Sequence, residues 1–500
     1  MKTIGIIDLG SNSIRLVLVR VGDKGNFKII NDYKVSVRLE EGMGEKGGME
    51  QARMERALEA LRTFRDICDS VEADEIIATG TEALRRAANR EELLERARSE
   101  CGIEVRVLSG QEEAWYGYFG VAHSMKPEHA LLMDIGGGST ELTLVENGEL
   151  KASTSLHVGT INLTSRFALQ SRLEPLQASA LEKYLAKSFA GVPWLRNLGC
   201  PMLIGIGGSS RTLAKIDRRC KNYPLDLHHN YEMSAEDVTG IYHSLLPMSL
   251  EQRRKIKGLS RDRADLLTGA VAAMAVLMDY CNIPTLRVSA NGLREGLIYE
   301  YLDRQGIRPD DPLDFSLQSQ IYNYDLNEKH ARQVTALSLS LYDQLQPLHG
   351  LEPAMARVLK AAAMLHASGL ALRYYNYPLH SFYLILNSDI NGLSQRELLL
   401  AAYVAVTHAK QDYKIDVEHY KPLLGREDVE RIQKLALLLR IAEGLDRTMC
   451  SRVERVAIST LGDDVVIKTV ANGRIDLELK DANRSAELFK KVFKKKLLVV

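Results

Sequence analysis

The sequence lacks any cysteine pattern that could build a framework. Its six cysteines, Cys68, Cys101, Cys200, Cys220, Cys281 and Cys450, are scattered and form no CxxC pair. That spacing argues against a zinc site or a disulfide-stapled domain and fits reduced thiols in a cytosol. Net charge is missing too, since 65 Lys and Arg balance 65 Asp and Glu. Bulk charge therefore points to neither nucleic acid nor a membrane surface, and any polyanion must be held by a local patch. No apolar run reaches the roughly 20 residues needed to span a bilayer. The longest, such as Leu266–Cys281, carry Asp or Thr. Asp8 interrupts the first apolar stretch too early for a signal-peptide core. These absences predict a cytoplasmic chain with no nucleic-acid partner and no stable membrane insertion.

What is present is a long alternation of strand and helix signals. Five hundred residues exceed one core and predict three or four domains. Thr3–Asp8, Ser13–Val21 and Phe27–Val37 read as strands. Gln51–Ser70 reads as a helix, because Ala57, Leu58, Leu61, Phe64, Ile67 and Cys68 share one face. The pattern restarts at Ala130–Asp134, a strand that ends in a Gly-rich turn. Two similar strand–turn–strand openings lie about one domain length apart, an internal repeat that predicts two α/β lobes with a cleft between them. Residues 1–124 and 125–304 are assigned to these lobes. After a Gly/Pro/Asp-rich linker, residues 305–450 read as all-helical. Residues 451–500 read as a small α+β domain, with strands at Val453–Ser459, Asp464–Thr469 and Arg474–Leu479.

Three Gly-rich segments carry the chemistry. In Asp8-Leu-Gly-Ser-Asn-Ser13, Gly10 permits a tight turn and close approach of a phosphate. The backbone N–H groups form an anion nest, and Ser11, Asn12 and Ser13 add side-chain donors. Asp134-Ile-Gly-Gly-Gly-Ser-Thr-Glu141 repeats the plan with Gly136, Gly137, Gly138 and Ser139. A hairpin alone does not need three consecutive glycines, which are costly to order. Asp8, Asp134 and Glu141 flank the loops as oxygen ligands, a set suited to Mg²⁺ together with phosphate oxygens and water. Gly205-Ile-Gly-Gly-Ser-Ser210 follows a third strand, so Gly207, Gly208 and Ser209 should shape the far wall of the cleft. Taken singly, each loop could be an ordinary turn; the matched set favours a phosphate site.

These segments resemble the two phosphate motifs and the third Gly motif of the actin-like (ribonuclease-H-like) ATPase superfold. Thr79-Gly-Thr-Glu-Ala-Leu-Arg85, Leu108-Ser-Gly-Gln-Glu-Glu-Ala114, Gly258-Leu-Ser-Arg-Asp-Arg263 and Ser289-Ala-Asn-Gly-Leu-Arg-Glu-Gly296 narrow the resemblance. Together they are similar to the exopolyphosphatase/guanosine pentaphosphate phosphohydrolase (Ppx/GppA) family, over nearly the whole chain. The resemblance implies a Mg²⁺-dependent phosphoanhydride hydrolase. Its substrate would be inorganic polyphosphate, with guanosine pentaphosphate as the alternative. It implies that Glu113 is the general base and Arg85 a phosphate ligand, and it suggests a homodimer. Glu112 has a local explanation as the third residue of a capping box begun by Ser109.

Two basic clusters are read as an electropositive track for a polyanion, against the alternative of a solvated face. They are Arg253, Arg254, Lys255, Lys257, Arg261 and Arg263, and Arg211, Lys215, Arg218, Arg219 and Lys221. No aromatics interleave with them, so no base-stacking platform is predicted. Arg294 either faces the cleft or pairs with Glu295. His330, His366, His380, His408 and Asp446 resemble the skeleton of an HD-type metal phosphohydrolase domain. The His-Asp dyad here reads His366-Ala367, so no metal role is assigned to them. Two rivals are a sugar or acetate kinase of the same superfold, which needs an ATP site, and a non-catalytic polyphosphate or nucleotide sensor.

Overall fold

The computed structural model describes residues 1–43, 47–196, 198–410 and 412–500. It comprises two compact units, Met1–Pro309 and Asp310–Val500.

The first unit contains two sheets. The first is built from β1 (Lys2–Leu9), β2 (Ser13–Val21), β3 (Phe27–Ser36), β4 (Glu75–Gly80) and β5 (Val105–Val107). Its order is β3-β2-β1-β4-β5, with β1 antiparallel to β2 and parallel to β4. The second contains β6 (His129–Ile135), β7 (Thr140–Glu146), β8 (Glu149–Leu156), β9 (Met202–Ile206), β10 (Tyr231–Ser234) and β11 (Thr285–Val288). Its order is β10-β11-β9-β6-β7-β8. Read from β8, the sequence third, second, first, fourth, fifth recurs, with β10 added at the edge. The repeat seen in the motifs is thus a repeat of topology.

Central strands such as β1 and β6 are apolar because both faces are covered. The helix Gln51–Ser70 buries Ala57, Leu58, Leu61, Phe64 and Cys68 on the stripe that the sequence predicts. Each large side chain so buried contributes about 1.5–3 kcal/mol. Lobe contacts are also polar: Lys34 pairs with Asp262 at 2.5 Å and Arg38 with Asp265 at 3.0 Å.

The third Gly segment departs from expectation. It is not a turn. β9 runs directly into a helix, Gly207–Cys220, of which Gly207 and Gly208 are the first residues. The first N–H groups of that helix have no intrahelical acceptor, so its start offers free backbone donors.

The second unit is helical up to Gly444 and closes with a sheet of β12 (Val453–Leu461), β13 (Asp464–Ala471) and β14 (Lys496–Val499). Arg474–Leu479, expected as a strand, instead leads into the helix Asp476–Asn483. The alternation of Ile475, Leu477 and Leu479 misleads, because Leu477 is 60% exposed while Glu478 and Ala482, four apart, are buried. Glu478 is satisfied by Thr448, which donates from both its backbone N–H and its hydroxyl. The third strand is Lys496–Val499, parallel to β13. No helix among the described residues is long and apolar enough to cross a membrane.

Candidate functional site

Both phosphate loops close by the same device. The Gly10 N–H donates to Ser13 O at 3.2 Å, and the Gly136 N–H donates to Ser139 O at 2.9 Å. The residues after each turn return along the next strand. Asp8 then faces Arg15 across β1 and β2, and Asp134 faces Glu141 across β6 and β7. Glu141 is fixed from behind by the Ser155 hydroxyl, which donates to it at 2.8 Å.

One cleft is lined by Asp8, Gly10, Ser11, Asn12 and Ser13 from the first lobe. Asp134, Gly136, Gly137, Gly138, Ser139 and Glu141 line it from the second, together with Gly207, Gly208 and Ser209 at the helix start. Glu113 also lines it. Ser109 and Glu112 form a reciprocal capping box at 3.2 and 2.8 Å. Glu112 is thereby occupied, and the next residue, Glu113, faces the cleft.

Arg85 is the predicted phosphate ligand that does not line this cleft. Its Nη1 donates to Glu113 Oε2 at 2.6 Å and to Leu108 O at 2.8 Å. Its other edge donates to Glu82. Its contacts are to two carboxylates and one carbonyl, so it braces the predicted base.

On the cationic side of the cleft, sequence reasoning named Arg211 and Arg263 in its basic clusters and left Arg294 open, but missed Arg15. Arg15, Arg211, Arg263 and Arg294 all line the cleft. Arg15 and Arg294 share Asp32, at 3.4 and 3.7 Å. Glu295 caps its own helix by accepting from the Gly292 N–H at 2.8 Å, so Arg294 takes the cleft-facing option. The signal for Arg15 was the repeat itself, since it stands where Glu141 stands in the second lobe.

The basic clusters divide. Arg211 and Arg263 enter the cleft, but Arg253 and Arg218 are buried in the second lobe. Arg253 donates to the carbonyls of Leu169, Ser171 and Met248. Arg218 donates to Leu225 O at 3.0 Å and to Asp226 at 2.9 Å. These two are structural and no part of a track.

Burial governs the electrostatics. It raises Asp8 above the ordinary carboxylate range, against the pull of Arg294 and Arg15. It pushes Asp134 up to about 6 against Arg211, with Asp8 adding to the rise. Glu113 is raised well above its usual value by burial and then by the charge of Glu141. Arg211 falls to about 10 through burial and the repulsion of Arg294. The cleft therefore holds mutually repelling carboxylates and mutually repelling arginines, an arrangement that a bound cation and polyanion would each relieve.

Neither Asp8 nor Asp134 makes a side-chain hydrogen bond or ion pair among the described residues. Their oxygen-only character suits a hard cation such as Mg²⁺. No three His, Cys, Asp or Glu side chains among the described residues gather to hold an ion unaided. Mg²⁺ typically takes one or two carboxylates and completes its shell with phosphate and water, so the set fits.

In the second unit His330 pairs with Asp446 at 2.8 Å, and His408 lies 3.2 Å from Glu443. His366 packs between the two rings, at 5.3 and 5.5 Å between ring centres. His366 Nδ1 and His408 Nδ1 donate to the carbonyls of Ala363 and Ala405.

Comparison with known proteins gives the family and the fold. Residues 17–305 match the Ppx/GppA phosphatase family, and residues 314–481 match Ppx/GppA phosphatase, domain III. The guanosine-5'-triphosphate,3'-diphosphate pyrophosphatase of Aeromonas hydrophila is 30% identical over 445 residues, 87% of this chain and 86% of the relative. The Vibrio vulnificus protein of that name is 28% identical over 493 residues, 96% of each. An exopolyphosphatase from Cytophaga hutchinsonii superposes with a TM-score of 0.57 at 27% identity, covering 61% of this chain and 99% of its own. An Aquifex aeolicus Ppx/GppA family member gives 0.53 at 28%, covering 61% and 98%.

Proposed function

Because the chain belongs to the Ppx/GppA phosphatase family and is a phosphoanhydride hydrolase, we propose that it removes the terminal phosphate from inorganic polyphosphate. The observation that carries this substrate is the composition of the cleft wall. Four arginines and three sets of backbone amides face the space, and among the described residues no aromatic side chain lines it. Such a wall suits repeated phosphate groups and offers no ring on which a base could stack.

In this reading the terminal phosphate lies against the amides and hydroxyls of Gly10, Ser11, Asn12, Ser13, Gly136, Gly137, Gly138 and Ser139. The helix start at Gly207, Gly208 and Ser209 meets it from the far wall. Arg15, Arg211, Arg263 and Arg294 hold the phosphates that follow. Glu113 takes the proton of the attacking water, and its raised pKa brings it nearer the strength a base needs at neutral pH. Asp8 and Asp134 would hold Mg²⁺, with Glu141 beside them, and the ion would supply charge neutralisation on the transferring phosphoryl group. Little more is asked of the protein than positioning and electrostatics.

A second reading is hydrolysis of the 5'-terminal phosphate of guanosine pentaphosphate. It is favoured by the names of the relatives that match both units of the chain. Turnover of the two substrates measured side by side separates them. Glu113→Gln tests the shared core of both: phosphate release should be lost while substrate still binds, and near-normal turnover would remove Glu113 from the role of base. We place the protein in the cytoplasm as a homodimer, a state that sedimentation can check.

A further inference from the structure

We propose that Glu82 is a positioning residue for the reaction, acting through Arg85 on the base Glu113; this rests on the assignment of Glu113 above. Glu82 begins the short helix Glu82–Arg86, directly after β4, and lines the cleft beside Glu113. One of its oxygens, Oε2, accepts from both Nε and Nη2 of Arg85, at 3.0 and 2.7 Å. That grip takes up a whole edge of the guanidinium. With that edge anchored, the guanidinium presents Nη1 to Glu113, and Nη1 is also held by Leu108 O.

A free arginine beside a carboxylate prefers the two-pronged contact, in which both carboxylate oxygens are bound. A base held in that way has no oxygen to offer to water. With Glu82 in place, Arg85 binds Glu113 through Oε2 alone and leaves Oε1 uncommitted. The same grip keeps Nη2 from reaching Glu141, whose Oε1 stands 3.9 Å away.

Glu82 is itself steadied by the second lobe. Its Oε1 lies 3.4 Å from His157 Nδ1 of that lobe, and 4.0 Å from Arg86 Nε of its own helix. His157 is in turn 3.5 Å from the amide of Asn162, which also donates to Gly138 O at 3.0 Å. The brace on the base therefore spans both lobes and ends on the phosphate loop.

The test is a double-mutant cycle on the full chain, with phosphate release from polyphosphate as the assay. Glu82→Ala should lower kcat about 100-fold, the cost of a misplacement of about 1 Å at a reacting group, with KM changed by less than about 2-fold. Glu82→Gln keeps an oxygen that can accept from Arg85 and should recover at least about tenfold of that loss. In an Arg85→Ala background, Glu82→Ala should cost less than about 2-fold, the scatter of independent sites. An undiminished loss in that background overturns the proposal, as does wild-type kcat in Glu82→Ala. Should Arg85→Ala not fold, equal losses in Glu82→Ala and Glu82→Gln would overturn it instead. Glu113→Gln run alongside keeps the two ideas apart. If it is dead while Glu82→Ala is normal, only the positioning role falls; if it is active, the base assignment falls.

Discussion

Gly207→Ala isolates the contact on which the cleft depends most closely. Gly207 has φ +80°, and a Cβ placed there would lie 2.4 Å from Asp134 Oδ1. The backbone strain alone costs about 1–2 kcal/mol. The steric part is more informative. Ordinary contact begins near 3.4 Å, so Asp134 must retreat by about 1.0 Å, the difference between 3.4 and 2.4. A shift of about 1 Å at a reacting centre can cost about 100-fold in rate. Gly306→Ala is the control, because Gly306 has φ +77° with nothing within 4 Å of the added carbon. The two variants share the strain, and only one touches Asp134. Phosphate release and thermal melting should therefore diverge. Both variants should lose a few degrees of Tm at most, while kcat falls about 100-fold in Gly207→Ala alone. Equal kcat in the two variants would refute the claim that Asp134 occupies a position at the chemistry.

The remaining predictions concern charge and burial. Burial pushes Glu141 up to about 7 in the folded chain, against about 4.3 when unfolded. The folded state then holds the proton longer, so this group costs stability progressively as pH rises from about 4 through 7. Glu141→Gln should consequently gain Tm relative to the wild type at pH 8 more than at pH 5, in protein freed of divalent cations; the opposite ordering would remove Glu141 from its buried, proton-retaining setting. Mg²⁺ should raise the wild-type Tm at pH 8 and do so less in Asp134→Asn, a binding readout independent of turnover. Arg253→Ala leaves three buried carbonyls and a cavity, and should lower unfolding stability by about 3–5 kcal/mol in urea titrations. A rise in KM for long polyphosphate without loss of stability would return Arg253 to the substrate track.

Much of the architecture was legible because local chemistry and tertiary role coincide there. Consecutive glycines after an apolar strand have few uses apart from admitting a ligand to the backbone, and Gly136–Gly138 do line the cleft. A Cβ on Gly138 would clash with the Glu40 carboxylate, which would have to move aside. The repeat was legible for the same reason: Asp8, Gly10 and Ser13 recur 126 residues later as Asp134, Gly136 and Ser139. The helix Gln51–Ser70 and most strand positions followed from periodicity alone. The segment Arg474–Leu479 failed because its period of two is contradicted by what it buries, a glutamate satisfied by Thr448, and no local pattern announces such a partner.

The arginines mark the boundary of what a sequence can say. Arg253 and Arg263 stand ten residues apart in one basic run, and both have the same intrinsic chemistry. One is sealed beneath three carbonyls and the other lies against Gly208 in the cleft. Their fates are set by where the chain turns after Ser249 and Ser260, which only the packed lobe decides. Arg15 is different, because its position was recoverable. The repeat pairs Asp8 with Arg15 and Asp134 with Glu141 in matching registers. Two lobes of one design thus present opposite charges at equivalent sites, which gives the cleft a direction. Glu113 and Glu141 stand together and suit water and the phosphate being cleaved, with Asp134 between them and the arginines. The end bearing Arg15, Arg211, Arg263 and Arg294 suits the phosphates that remain. A site built from two identical loops could bind a phosphate chain either way round; exchanging one carboxylate for one arginine removes that ambiguity.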